Sequence, residues 1–178
     1  MMSRSDCFND LQARDLKPWL LEIKRLLKPG GILVMCDMEM AVWMRDGSDP
    51  WLHIPTLCMY TDAVHQALLQ QGINVANQPL VGSMLRDIGG FSEVEDTVTS
   101  VPVGTWDTDW LQQEIGIMAR DNIMLALVAC HPLWHRLGKS QEEIDKLAQA
   151  AHEELLNPNY ELFERIFYVF ARKEELPA

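Results

Sequence analysis

Asp37 and Glu39 follow an uninterrupted apolar run, Ile32-Leu33-Val34-Met35-Cys36. They sit where open α/β sheets bind ligands, just beyond the carboxyl end of a strand. Carboxylates there can border a substrate cavity, and they serve equally well to cap and solvate the exit of the strand. Trp43, Tyr60 and Trp106 are candidates for the walls of a pocket for a small apolar ligand, although core packing explains each of them too. His53, in the loop after the run, and His65, on the next helix, are the histidines best placed to reach such a pocket. His131 and His135 have the four-residue spacing of a zinc-protease pair, but Pro132 follows the first and the glutamate of H-E-x-x-H is missing. They read as a helix end beside Trp134, and no metal site is expected. His152 adjoins Glu153 and Glu154 and reads as solvated. Cys7, Cys36, Cys58 and Cys130 lie 29, 22 and 72 positions apart, which is neither a zinc nor a dithiol pattern. No Ser/His/Asp or Cys/His grouping has the spacing of a nucleophilic centre, so no catalytic residue is assigned.

These residues need elements to hold them. Leu16, Trp19, Leu20, Ile23, Leu26 and Leu27 form the stripe of an amphipathic helix. Asp15 is its expected N-cap, Pro18 sits in its first turn, and Lys24, Arg25 and Lys28 load its end with positive charge. Pro29-Gly30-Gly31 stops it, and the apolar run to Asp37 then reads as a strand buried on both faces. Helix, tight turn and buried strand together are the αβ step of a doubly wound sheet. A loop runs from Met38 to about Pro55. Helices are expected over 56–71, ended by Gly72, over 80–88, ended by Gly89-Gly90, and over 109–129. Phe91, Val94, Val98, Val101 and Val103 mark a β-rich stretch with imperfect alternation. Ser140 with Glu143 is a capping box opening an acidic helix to about Leu156. Phe163, Ile166, Tyr168 and Phe170 alternate towards Lys173 as a closing strand, and 174–178 read as a loose tail.

Composition narrows the partners. The 178 residues are 48% apolar and 23% charged, which suits one globular domain. Acidic residues number 26 against 15 basic ones, a formal charge of -11 that repels phosphates and anionic lipid. Neither nucleic acid nor membrane is therefore an expected partner. The start carries no apolar signal segment, and the longest apolar stretch, from Ile123 to Cys130, is eight residues. With scattered thiols, the cytoplasm is the expected compartment, the nucleus being left open.

The run Leu26-Leu27-Lys28-Pro29-Gly30-Gly31 followed by a strand resembles the last shared motif of class I S-adenosylmethionine-dependent methyltransferases. There it precedes the fifth strand of the sheet. Gly89-Gly90-Phe91-Ser92-Glu93-Val94, with Val101-Pro102-Val103-Gly104-Thr105-Trp106, resembles a passage of fungal secondary-metabolism methyltransferases of the LaeA type. Arg165 to Lys173 is similar to their closing strand.

The resemblance implies a partial Rossmann-like α/β methyltransferase fold holding strands five to seven, with Met1 to Arg4 near the end of strand four. It implies one truncated domain over 1–178. S-adenosylmethionine is the cofactor the family uses, but no G-x-G-x-G turn and no ribose-binding acid occur in this sequence, so no cofactor-binding residue is assigned. Asp37, Glu39, Trp43, His53, Tyr60 and Trp106 are then the candidates for the acceptor pocket. Two functions follow. The chain is a small-molecule methyltransferase of secondary metabolism, expected to be inactive without a cofactor-binding half. Alternatively, it is a non-catalytic remnant that pairs with a protein partner, or with itself, through an open sheet edge at Ile32–Asp37.

Overall fold

The computed structural model describes residues 16–70 and 74–175. Helix α1 (residues 16–26) carries the apolar stripe, with Leu20 fully buried. Its expected N-cap, Asp15, lies outside the described residues, as do Met1 to Arg4, Gln71, Gly72 and the last three residues of the proposed tail. Gly30 turns the chain with a φ of 71°, left-handed backbone that glycine adopts without strain. The Gly31 N–H donates to the Lys28 carbonyl at 2.9 Å.

Strand β1 (Ile32–Met38) follows and pairs antiparallel with β4 (Leu162–Lys173), Leu33 opposite Ala171 and Asp37 opposite Phe167. Period-two alternation sends Leu33 and Met35 inward. Ile32, Val34 and Cys36 are exposed, Val34 by 68%. Burial on both faces, expected from the unbroken apolar run, is thus not found: one face packs, and the other is exposed among the described residues. Strand β2 (Trp43–Met44) pairs antiparallel with Phe163 and Leu162, and β3 (Phe91–Val103) also pairs with β4. The chain is therefore α/β, with an open four-stranded antiparallel sheet in which β4 is the strand the others meet.

The helices are α2 (Pro50–His53), α3 (Pro55–Leu69), α4 (Val81–Ile88), α5 (Trp110–Ala129), α6 (His131–Arg136) and α7 (Gln141–Leu156). They and the strands form two compact units.

The first unit takes residues 16–39, 68–99 and 166–175 of those described. Leu20, Val81, Met84, Leu85, Val169 and Ala171 are its core. Lys173 on β4 donates from Nζ to the Lys24 and Leu27 carbonyls at 2.8 and 2.6 Å, a cation on the carbonyls where α1 ends. The Glu174 N–H bonds the Gly90 carbonyl at 3.1 Å, so the proposed tail is held at its first residue.

The second unit takes residues 40–67 and 100–165. Its core is larger and partly aromatic, with Ile54, Leu57, Tyr60, Trp134, Ile144 and Leu162 among its members. Asp109 caps α5 by accepting from the Leu111 and Gln112 N–H groups. The predicted Ser140–Glu143 capping box is present on α7. Gly116 lets α5 approach the chain at Gly104, whose N–H donates to the Gly116 carbonyl at 2.8 Å. A Cβ at 116 would fall on the Gly104 carbonyl oxygen. Among the described residues no helix is long and apolar enough to cross a membrane.

Candidate functional site

In the second unit, a groove of about 390 Å³ is bounded by the chain from Met40 to Trp43, the start of α2 and one face of α3. Each wall has a local cause. Asp49 is the N-cap of α2, its carboxylate accepting the Trp51 N–H at 3.0 Å, and Pro50 takes the first turn, where a missing N–H costs nothing. The first turn of α3 is satisfied from far along the chain. Glu154 on α7 accepts the Thr56 and Leu57 N–H groups at 2.9 and 2.8 Å, placing negative charge at a helix N-terminus. Trp43 is fixed by the Arg165 guanidinium, 4.1 Å from its ring centroid.

The lining combines Trp43 and Trp51 with Asp49, Asp62, Cys58, Thr61 and His65. The Cys58 thiol is pushed up to about 11, chiefly by burial and then by the charges of Glu154 and Asp49. It is protonated at neutral pH and is no nucleophile. Thr61 spends its hydroxyl on the Cys58 carbonyl at 3.0 Å. The groove thus offers flat aromatic surface with a few carboxylates, which suits binding and orientation of a small molecule rather than covalent chemistry.

The six residues singled out in the sequence do not converge on this groove. Trp43 lines it, joined by His65. Asp37 lines a smaller cavity in the first unit. Glu39 is half-buried just after β1. Tyr60 lies in the core, 2% exposed, its ring edge-on to Trp134 with centroids 5.0 Å apart, and burial raises its hydroxyl pKa. His53 meets the Tyr160 ring edge-on at 5.8 Å. Trp106 donates from Nε1 to the Leu162 carbonyl at 2.7 Å, carries Arg45 over its ring at 4.9 Å, and lines two other pockets of the second unit. Sequence reasoning missed Trp51, Asp49 and Asp62. The pairing of Asp49 with Pro50 is a helix-start signal that could have placed the first two at the mouth of the groove.

Among the described residues no three His, Cys, Asp or Glu side chains are grouped to hold a metal ion. His135 on α6 instead shares a 3.0 Å hydrogen bond with Gln141. Gly30-Gly31 and Gly89-Gly90 each lead out of a helix and into a strand, β1 and β3, whereas a nucleotide cradle leads from a strand into a helix.

The described residues thus form an α/β chain with an aromatic-lined groove in the second unit. No family model matches it. Among curated proteins it is similar to the "Secondary metabolism regulator LAE1" of Pyricularia oryzae, at 29% identity over 134 residues, covering 72% of this chain and 39% of that protein. The chain therefore spans about two fifths of the length of the curated relative it matches.

Proposed function

We propose that this chain is the acceptor-side part of a methyltransferase-like protein of secondary metabolism, and that the methyl donor is held by residues outside these 178. The similarity to a secondary-metabolism regulator carries the reading. The K-P-G-G turn that leads from α1 into β1, on which the methyltransferase resemblance rests, supports it. The role of this chain is then to orient the acceptor and exclude water from it, the contributions expected of Trp43 and Trp51. Calorimetric titration of the chain with S-adenosylmethionine is expected to show no saturable binding. Addition of a polypeptide bearing a G-x-G-x-G segment of a relative is expected to restore it. Tight binding by the chain alone overturns the division of labour.

A second reading, an interaction module, is favoured by the bare face of β1, where Ile32 and Val34 are 46% and 68% exposed. It predicts self-association that Val34→Lys abolishes. A single sedimenting species, unchanged by concentration, rules it out.

A further inference from the structure

The first unit holds its own cavity, of about 150 Å³, on the inner face of β1 and β4. Met35, Phe167 and Val169 give it an apolar wall, and Asp37, Asn74, Asn77 and Gln78 line the rest. Asn77 and Gln78 are 4% and 7% exposed, yet Asn77 Oδ1 and Gln78 Oε1 accept no hydrogen bond from the protein. The orientation of Gln78 is fixed by chemistry. Its Nε2 donates to Asp37 Oδ2 at 3.3 Å, and because a carboxylate only accepts, Oε1 must be the atom left bare. Asn74 accepts the Ala76 N–H at 3.1 Å, and its Nδ2 is likewise without a partner. Buried acceptors without donors cost free energy that a ligand's N–H groups recover.

Among the described residues the lining is lopsided: two bare carbonyl oxygens and a carboxylate, one spare donor, and no Lys, Arg or His. A primary ammonium has three N–H donors and no acceptor, matching three acceptors one to one. The volume, equal to about five waters at roughly 30 Å³ each, leaves room for a short alkyl body against Met35 and Val169.

We infer that this cavity binds a small alkylammonium cation, with Asn77 Oδ1, Gln78 Oε1 and the Asp37 carboxylate accepting its three N–H groups. The site is independent of the acceptor groove and of the methyltransferase reading. Saturation-transfer NMR on the 178-residue chain tests it with three probes of one size, n-propylammonium, n-propanol and propionate. Propylammonium is expected to bind saturably, roughly tenfold more tightly than propanol, with propionate not binding. Asp37→Asn and Gln78→Leu are each expected to weaken propylammonium roughly tenfold. Asp37 is exposed, so its variant keeps the test alive should the other fail to fold. Absence of saturable propylammonium binding, which leaves water as the occupant, overturns the inference. So does equal affinity for the three probes, or full affinity in Asp37→Asn.

Discussion

Each unit ties down a helix end with one charged side chain from far along the sequence, and the two use opposite charges at opposite ends. In the second unit the Glu154 carboxylate sits on the first N–H groups of α3, 97 and 98 positions away. In the first, the Lys173 ammonium sits on the last carbonyls of α1, 146 and 149 positions away. Both follow the helix dipole, but their settings differ. Glu154 is carried by α7, a helix packed into an aromatic core on which several helices converge. Lys173 is carried by a sheet packed on one face and bare on the other. Both units leave apolar side chains exposed. In the first they include Ile32 and Val34 on β1, and in the second Trp110, Leu125 and Val128 on α5.

Core truncation breaks the comparison most severely. Ile144→Ala, at a fully buried position of the second unit, is expected to cost about 2–5 kcal/mol in chemical denaturation, and Leu85→Ala in the first a similar amount. Val34→Ala, on the bare face, is expected to cost under about 0.5 kcal/mol. A large loss at Val34 contradicts the one-sided packing of β1.

Next comes pH. Glu164, 6% exposed in β4, has its carboxyl pushed up to about 7 by burial. Below about 4.5 both folded and unfolded chains hold the proton and nothing is lost. Between about 4.5 and about 7 the unfolded chain ionises while the folded one keeps its proton, so stability falls as pH rises, by about 3 kcal/mol in all. Glu164→Gln is expected to flatten that decline, read from denaturation midpoints across the range. A wild-type profile already level there counts against a buried, protonated Glu164.

The helix ties sharpen the comparison more gently. Glu154→Gln and Lys173→Met are each expected to cost about 1–2 kcal/mol, with faster amide exchange confined to the start of α3 in one and the end of α1 in the other. Ser140→Ala, which removes half of a capping box on the exposed start of α7, is expected to cost about 1 kcal/mol in thermal melts.

Much of the local structure was legible. The stripe of α1, the Pro29-Gly30-Gly31 turn and the Ser140–Glu143 box each rest on neighbours in sequence, and each is where the residues put it. Helix α6 was read only as a helix end beside Trp134, whereas it is a short helix of its own with Pro132 in the first turn, where proline is tolerated. The bare face of β1 was illegible because an apolar run records what a strand can bury and not what is available to bury it. Of the site, the aromatic residues were visible and their grouping was not. Trp43 and Trp106 line different pockets since pairing of β2 with β4 and the bond from Trp106 to Leu162 are contacts made far apart along the chain. Asn77 and Gln78 were passed over because amides in a turn-rich stretch look like loop until their burial is seen.

The three described cysteines divide along the same line. Cys58 and Cys130 are half-buried, with burial as the chief cause of their raised thiol pKa values, while Cys36 stands exposed on the outer face of β1. In a Cys7→Ser background, a maleimide fluorophore at neutral pH is therefore steered to position 36, between Val34 and Met38. A dye planted there changes colour and anisotropy when its surroundings turn dry, so a single label would report the moment any polypeptide settles on that side.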